Sequence, residues 1–164
     1  MQKLYDLDSR RVLVTGIGPL GCVPGVLATR STNGKCAEEP QLAAEIFNKH
    51  LLQLIKDLNQ DIGSDVFVAV NAGALQNDFI HHPQQFDFVT SKDACCGQGS
   101  YNAVGLCTIF SRLCQNRSAY AFWDAFHPTE RANKIIVESI MNGAEKFITP
   151  MNLSTILALD AIKY

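Results

Sequence analysis

The chain has 164 residues, of which 14 are Lys or Arg and 16 are Asp or Glu, so its formal net charge is −2. The basic residues are scattered, with no run longer than Arg10-Arg11, which excludes the concentrated positive surface typical of nucleic-acid binding. No stretch reaches the roughly 18 uninterrupted apolar residues of a membrane-spanning helix, and no apolar signal segment follows residues 1–3. The length predicts one domain with a single core.

The first part of the chain predicts a strand, a loop, a helix and a second strand. Residues 11–15 (RVLVT) form an apolar run typical of a buried parallel strand, whereas the Gly and Pro residues of 16–35 predict a long loop without a regular helix. Pro40 begins a helix that Gly63 ends, and residues 66–70 (VFVAV) give the second strand. The apolar face of this helix comprises Phe47, Leu51, Leu54, Ile55 and Leu58. This order is typical of a parallel sheet.

The second part of the chain is less regular. Residues 71–118 are rich in Cys, Gly and polar residues and predict an irregular excursion held by disulfides. Residues 119–123 (AYAFW) predict a third strand, a helix begins at Pro128, and residues 149–164 predict a last short helix. The helix that begins at Pro128 is predicted to have an apolar face toward the core, which comprises Ala132, Ile135, Ile136, Ile140, Ala144 and Phe147. Three parallel strands are too few for a sheet covered on both faces, so we expect part of the sheet to be absent.

Six cysteines predict a disulfide framework and an oxidising compartment: Cys22, Cys36, Cys95, Cys96, Cys107 and Cys114. Zinc binding is the alternative, but the sequence contains no Cys-x-x-Cys and no histidine at zinc-finger spacing from the cysteines. The pairing stays open at this point, because six cysteines allow fifteen connectivities. The sequons at Asn116 and Asn152 are candidate glycosylation sites and fit a secreted protein.

Residues 16–21 (GIGPLG) match G-x-G-x-x-G directly after a predicted strand. A dinucleotide site would need a helix to begin there and an acidic residue to follow the second strand. Pro24 breaks the required helix, and Glu38 and Glu39 lie at a helix start instead. We therefore interpret the segment as a turn.

Residues 124–128 (DAFHP) carry the most informative candidate chemistry. Asp124 and His127 follow a predicted strand, at the edge of the sheet where α/β folds place their sites. A carboxylate at this spacing can accept the Nδ1-H of the imidazole and leave Nε2 free to take a proton from a nucleophile. The N-terminus of the Pro128 helix would also disfavour a positive charge on His127. The alternative is that Asp124 or His127 caps that helix, and spacing alone does not decide between the two.

Other polar residues offer weaker candidates. Asp78 and His81 repeat the Asp-x-x-His spacing but directly follow no predicted strand, so we interpret them as loop contacts, with metal binding that includes His82 as a remote alternative. His50 is interpreted as a partly exposed helix residue. No G-x-S-x-G occurs, and Ser100, which has glycine neighbours, lies in the cysteine-rich excursion with no strand before it. The sequence thus offers no serine nucleophile.

Three segments in this order resemble the plant GDSL esterase/lipase family of the SGNH hydrolases: residues 10–24 (RRVLVTGIGPLGCVP), 94–99 (ACCGQG) and 121–133 (AFWDAFHPTERAN). Residues 147–160 (FITPMNLSTILALD) are similar as well. The resemblance covers nearly the whole chain. It implies an α/β fold that is the C-terminal part of a three-layer α/β/α flavodoxin-like sandwich with a parallel sheet. Residues 1–164 would then be a single, partial SGNH hydrolase domain that lacks its N-terminal part.

The resemblance also implies hydrolysis of carboxylic esters by a Ser-His-Asp mechanism, without a metal or other cofactor. The substrates expected for the family are acyl lipids, cutin-like polyesters or acetylated cell-wall components. The catalytic Asp and His of the family match Asp124 and His127, whereas Asp78 and His81 match nothing catalytic. The family's GDS serine and its oxyanion-hole Gly and Asn have no counterpart here. We therefore expect the chain alone to be inactive.

Three further expectations follow from the sequence. The alternative to the enzyme is a non-catalytic secreted module, or a truncated gene product, whose disulfide-rich loop binds a partner and whose Asp124 and His127 are only structural caps. Absent strands would leave a sheet edge and an apolar face uncovered, so we expect self-association. The cysteines and the resemblance predict an extracellular location, although this chain shows no signal peptide.

Overall fold

A computed structural model describes residues 1–162 of the chain. Within these residues the helices are α1 (Gln2–Asp6), α2 (Pro24–Arg30), α3 (Glu38–Ile62), α4 (Ala72–His81), α5 (Glu130–Asn142) and α6 (Leu153–Ala161). The strands are β1 (Val12–Thr15), β2 (Phe67–Val70), β3 (Thr90–Ala94), β4 (Cys96–Gly97), β5 (Arg112–Leu113), β6 (Tyr120–Phe122) and β7 (Ile148–Thr149). Helices and strands are mixed along the chain, which confirms the predicted α/β class.

The central sheet has the strand order β1-β2-β7. β1 and β2 are parallel, with Val12 opposite Phe67 and Thr15 opposite Val70. β7 pairs with the other edge of β2 in the antiparallel direction. The parallel pair that the two apolar runs predict is therefore confirmed, and an antiparallel edge strand is added to it.

The central sheet lies between two helical layers. α3 covers one face through Ile55 and Leu58, which pack with Phe67. α5 and α6 cover the other face, where Ile140 and Ile156 pack with Val68. Phe67 and Val68 are neighbours in β2 and point to opposite faces, as the pleat of a strand requires. The arrangement is a three-layer α/β/α sandwich.

α3 ends where the sequence predicts, but its buried face is narrower. Gly63 ends the helix with a φ of +72°, a left-handed conformation that glycine adopts without a steric penalty. Ile55 is buried, whereas Phe47 and Leu54, which were predicted on the same face, are both 47% exposed. The prediction for these two residues is wrong because α3 turns Ala44 and Ile55 toward the fold, so Phe47 and Leu54 lie at the margin of the contact.

Two helices occupy stretches that the sequence predicts to be irregular. α2 lies in the Gly- and Pro-rich loop and has Pro24 in its first turn. The N–H that proline lacks would have no partner within the helix at this position, so no hydrogen bond is lost. α4 lies at the start of the cysteine-rich excursion, and Asn71 caps it by accepting the Ala74 N–H at 3.0 Å. These helices have 7 and 10 residues, and each is stabilised by burial of an apolar side chain, Leu27 in α2 and Phe79 in α4.

The third predicted strand forms as β6, but it does not join the central sheet. β6 pairs in parallel with β3 in a separate sheet of two strands. A second apolar core that includes Phe79, Phe88, Phe122 and Ala132 packs α4 and α5 against this pair. The expectation that three predicted strands belong to one parallel sheet is therefore wrong.

The six cysteines form three disulfides, which confirms the predicted framework. Every cysteine is paired, so the zinc alternative is wrong for the cysteines. One disulfide ties the loop before α2 to the loop before α3, and the other two close the base of the cysteine-rich excursion: Cys22–Cys36, Cys95–Cys114 and Cys96–Cys107.

The two C-terminal helices form with shifted ends. α5 begins two residues later than predicted because Thr129 caps it, its Oγ1 accepting the Ala132 N–H at 3.3 Å. It ends before Ala144 and Phe147, two residues predicted on its apolar face, although Phe147 still packs on the central core. α6 confirms the predicted last helix. Residues 163–164, the end of that prediction, lie outside the described residues.

Apolar surface stays uncovered on the described part of the chain. β1 pairs only with β2 there, so its outer edge is free. Leu13 of β1 is exposed on the face opposite α3, and α3 itself exposes Leu42 and Ile46. None of the helices in residues 1–162 is both long enough and apolar enough to cross a bilayer.

Candidate active site

The turn that follows β6 contains both residues of the candidate site. The Trp123 N–H donates to the His127 carbonyl at 2.8 Å, and Phe122 forms a β-bridge with Pro128. These contacts close the turn at its base. We call residues 124–127 the dyad turn.

Asp124 contacts the His127 ring through both of its carboxylate oxygens. The ring Nδ1 lies 2.8 Å from Oδ1 and 2.9 Å from Oδ2. Oδ1 also accepts the backbone N–H of Phe126 at 2.9 Å and that of His127 at 2.8 Å. The Asp124 side chain is 24% exposed and the His127 side chain is 76% exposed. The carboxylate is therefore the more buried partner, and the imidazole faces solvent.

The electrostatics of the dyad turn favour an ionised carboxylate. Partial burial would by itself raise the pKa of Asp124. The N–H groups of Phe126 and His127, together with the His127 side chain, outweigh burial, so the pKa of Asp124 is lower than its ordinary value. An ionised Asp124 accepts Nδ1-H, which leaves the lone pair of a neutral His127 on Nε2.

The dyad turn rests against α2. The Gly25 N–H donates to the Ala125 carbonyl at 2.8 Å, and a Cβ added at Gly25 would lie 2.9 Å from the Phe126 ring. On another side, the Cys96 N–H donates to the Trp123 carbonyl at 2.7 Å. Sequence reasoning missed Gly25, because the contact that requires glycine there comes from residues about a hundred positions further along the chain. The only local signal is the preceding proline, which marks a helix start.

The cap of α5 is Thr129 and not a member of the dyad. Thr129 is 2% exposed, and its Oγ1 also donates to the Tyr120 carbonyl at 2.8 Å. Asp124 accepts only from its own turn and from the His127 ring among the hydrogen bonds found in residues 1–162. The part of the alternative in which Asp124 or His127 caps α5 is therefore wrong, whereas Asp124 does accept the amides of Phe126 and His127 before Pro128, as the same alternative expected.

The second Asp-x-x-His pair has a different environment. Asp78 and His81 lie on α4, so their placement in a loop is wrong. The Asp78 carboxylate lies 3.5 Å from the Lys146 ammonium, and no hydrogen bond joins it to His81 in the described part of the chain. His50 is an exposed residue of α3. Within residues 1–162, no three His, Cys, Asp or Glu side chains are grouped so that they could hold a metal ion.

The remaining candidate motifs make no hydrogen bond to the His127 ring within the described residues. Residues 16–21 have irregular backbone and lead into a single 3-10 turn (Leu20–Cys22), and α2 begins only after them. Ser100 is exposed in a 3-10 turn of the cysteine-rich excursion. Among the described residues, no serine hydroxyl hydrogen-bonds to the His127 ring.

Comparison with known proteins gives consistent matches. Residues 1–140, which include the whole dyad turn, match the family described as GDSL-like Lipase/Acylhydrolase. GDSL esterase/lipase At4g28780 of Arabidopsis thaliana is 59% identical over 162 residues, which are 98% of this chain and 44% of that protein. GDSL esterase/lipase LTL1 of the same plant is 57% identical over 163 residues, which are 99% of this chain and 44% of that protein.

These matches agree with the resemblance carried by the sequence motifs. The chain spans less than half the length of these curated relatives and aligns with nearly all of its own residues. The α/β fold and its helix-sheet-helix layering are those expected for part of a GDSL hydrolase. The chain belongs to the GDSL-like lipase/acylhydrolase family.

Proposed function

We propose that this chain supplies the acid-base half of a carboxylic ester hydrolase site, in which His127 is the general base and Asp124 orients it. The observation that carries the proposal is the contact of both Asp124 oxygens with Nδ1, at 2.8 and 2.9 Å. This contact holds the proton on Nδ1, and Nε2 then takes the proton of a nucleophile. Family membership supports the same reaction class.

The proposed reaction proceeds in two steps. His127 Nε2 takes the proton of a serine hydroxyl while the serine oxygen attacks the ester carbonyl carbon, and Asp124 stabilises the imidazolium that forms. The imidazolium returns this proton to the leaving alkoxide, which releases the alcohol and leaves an acyl-enzyme. His127 then takes a proton from water while the water oxygen attacks the acyl carbon. The imidazolium gives this proton to the serine oxygen as its bond to the acyl carbon breaks, which releases the acid and restores the serine.

The proposed substrates are esters of acyl lipids or of cutin-like and acetylated cell-wall polymers. Two observations support this class. The relatives carry the names esterase and lipase and come from a plant. In the 164-residue chain the His127 ring is 76% exposed, so no element of residues 1–162 blocks the approach of a bulky ester.

The 164-residue chain alone is proposed to be inactive as an esterase. Its sequence has no serine in a G-x-S-x-G turn, and no serine hydroxyl of the described residues bonds to His127. Each oxyanion-hole donor contributes about 3 to 4 kcal/mol to such reactions, and the serine is the reacting atom itself. The serine and the oxyanion-hole donors would come from a polypeptide that corresponds to the part of the relatives that this chain does not match.

A chimera tests the proposed function. This chain would replace the matching 162 residues of GDSL esterase/lipase At4g28780, and hydrolysis of p-nitrophenyl butyrate would be measured. His127→Ala and Asp124→Asn should each lower kcat by roughly 10³- to 10⁴-fold. Asp78→Asn is the matched control, because it removes a carboxylate at the same Asp-x-x-His spacing and should leave kcat unchanged. Equal kcat for the chimera and its His127→Ala variant would disprove the proposed role of His127.

A second candidate function is a non-catalytic secreted module. The observation that favours it is the lack, within residues 1–162, of a serine bonded to His127, combined with a disulfide-closed excursion that could bind a partner. Full-length transcript sequencing distinguishes the two. Upstream coding sequence with a GDS serine supports the enzyme, and a start codon that encodes Met1 supports the module or a truncated product.

Self-association is part of the proposal for the isolated chain. The free edge of β1 and the exposed Leu13 leave one apolar area uncovered, and the exposed Leu42 and Ile46 of α3 leave another on the opposite side of the sheet. Sedimentation velocity of the isolated chain should show species larger than a monomer. A single monomeric species at micromolar concentration would contradict this part of the proposal.

An extracellular location is also proposed, on the support of three disulfides. Of the two sequons, we assign glycosylation to Asn116, which is exposed. Asn152 is half-buried and caps α6 by accepting the Thr155 N–H at 2.9 Å, while its Nδ2 donates to the Gly143 carbonyl at 3.3 Å. Peptide mapping of secreted protein should find a glycan on Asn116 and none on Asn152.

A further inference from the structure

The cysteine-rich excursion ends in an exposed apolar surface, which we call the tip patch. Ile109 is 92% exposed, Phe110 87% and Leu106 81%. Single exposed apolar residues are ordinary on protein surfaces, whereas a local concentration marks a binding surface. The tip patch consists of Val104, Leu106, Ile109, Phe110 and Leu113, which are all exposed.

The backbone of the tip is fixed, so the exposure of Ile109 and Phe110 is built into the fold. They are the two central residues of a turn that the Ser111 N–H closes by donating to the Thr108 carbonyl at 3.0 Å. The Ser111 hydroxyl accepts the Thr108 N–H at 2.8 Å and donates to the Leu106 carbonyl at 3.1 Å. These bonds hold the turn in a shape that keeps both side chains away from the core.

Two disulfides restrain the tip from both sides. Cys107 precedes the turn and pairs with Cys96, and Cys114 follows it and pairs with Cys95. Since Cys95 and Cys96 are adjacent, both ends of the tip are joined to one point of the fold. The tip is therefore a projecting loop with little freedom to fold back over its apolar side chains.

The charge of residues 95–118, the disulfide-closed end of the excursion, indicates what kind of surface the tip patch meets. Residues 95–118 contain Arg112 and Arg117 and no Asp or Glu, although the whole chain has a net charge of −2. Arg117 lies 3.9 Å from Glu130 at the base of the excursion, whereas Arg112 lies in β5 beside the tip. Asp93, the nearest acidic residue before residue 95 in sequence, lies in β3 at the base of this segment. An apolar tip that has Arg112 beside it and no acidic residue within residues 95–118 complements a lipid surface that carries negative headgroups.

We propose that the tip patch inserts Ile109 and Phe110 into an anionic lipid surface, with Arg112 at the headgroups. The inference does not rest on the proposed esterase activity, because binding is measured without turnover.

Vesicle sedimentation tests the proposal on the 164-residue chain. The probes are phosphatidylcholine vesicles with and without phosphatidylserine. The chain should bind the vesicles that contain phosphatidylserine, and the double variant Ile109→Ser, Phe110→Ser should lower the partition coefficient at least about tenfold. Arg112→Gln should lower it about fivefold on the anionic vesicles and leave binding to pure phosphatidylcholine unchanged.

A matched double variant controls for loss of exposed apolar residues in general. Val137→Ser with Leu157→Ser removes two exposed apolar side chains from α5 and α6 and should bind vesicles as the unmodified chain does. Thermal unfolding and a mass count of three disulfides establish that each variant is folded. Since Ile109 and Phe110 contact little of the protein, their replacement should not change the midpoint of unfolding.

Three results would overturn the proposal. The first is that the unmodified chain does not sediment with the anionic vesicles. The second is that the Ile109→Ser, Phe110→Ser variant binds them as tightly as the unmodified chain. The third is that this variant dissociates an oligomer in sedimentation velocity without changing vesicle binding, which would assign the tip patch to a second copy of the chain.

Discussion

The Asp124 carboxylate contacts the His127 ring through both oxygens while its Oδ1 accepts two N–H groups of the same turn. The pair is thus positioned by four consecutive residues, with Gly25 of α2 as an outside support. The Asp124–His127 geometry is therefore held by contacts within the described part of the chain.

The stability of the chain should depend on the ionisation of Asp124. Its folded pKa is lower than the ordinary value, so the ionised carboxylate stabilises the fold above the unfolded pKa of about 3.9, and this contribution is lost as the pH falls through the folded pKa. Asp124→Asn keeps the shape but cannot ionise. Urea denaturation at neutral pH should give the unmodified chain a larger free energy of unfolding than the Asp124→Asn variant. This difference between the two proteins should shrink as the pH is lowered from 7 to 3. A difference that is constant with pH would contradict the assignment.

Replacement of Gly25 should disturb the dyad turn. A Cβ there would lie 2.9 Å from the Phe126 ring and 3.1 Å from the Ala125 Cβ, so Gly25→Ala should lower the free energy of unfolding by about 1 to 3 kcal/mol. Gly73→Ala is the matched control, because its Cβ would have no contact shorter than 3.4 Å in α4. That variant should be neutral or more stable by up to about 1 kcal/mol. Equal effects of the two variants in urea denaturation would exclude a specific contact at Gly25.

Thr129 should contribute to stability through its hydroxyl. Thr129→Ala removes the cap of α5 and the hydrogen bond to the Tyr120 carbonyl, so we expect a loss of about 1 to 3 kcal/mol in the free energy of unfolding. Thr129→Ser keeps the hydroxyl and should lose less than about 1 kcal/mol. Calorimetric unfolding of both variants measures the difference. If Ser and Ala destabilise equally, the methyl group and not the hydroxyl is what matters at this position.

The elements that the sequence predicts well are those with a continuous apolar pattern. Residues 11–15 and 66–70 are apolar runs and pair as β1 and β2. β3, by contrast, has the sequence TSKDA, which carries no apolar period, so nothing local indicates that it pairs with β6. The pairing of the six cysteines could not be predicted either, because it depends on which loops the fold brings together.

The candidate site could be predicted only in part for a similar reason. The two Asp-x-x-His pairs have identical spacing, and the structure distinguishes them by their partners. Asp124 contacts His127, whereas Asp78 lies near Lys146, a residue far along the chain. Contacts of this kind are set by the fold, so a local spacing could not reveal them.

The most direct test of the account is the tautomer of His127 in the 164-residue chain, measured by ¹⁵N NMR of the imidazole ring near neutral pH. If Asp124 orients His127, the neutral ring carries its proton on Nδ1, Asp124→Asn reduces this tautomer, and Asp78→Asn leaves it unchanged. A neutral ring protonated mainly on Nε2, with no response to Asp124→Asn, would mean that Asp124 does not orient His127 and would contradict the central claim.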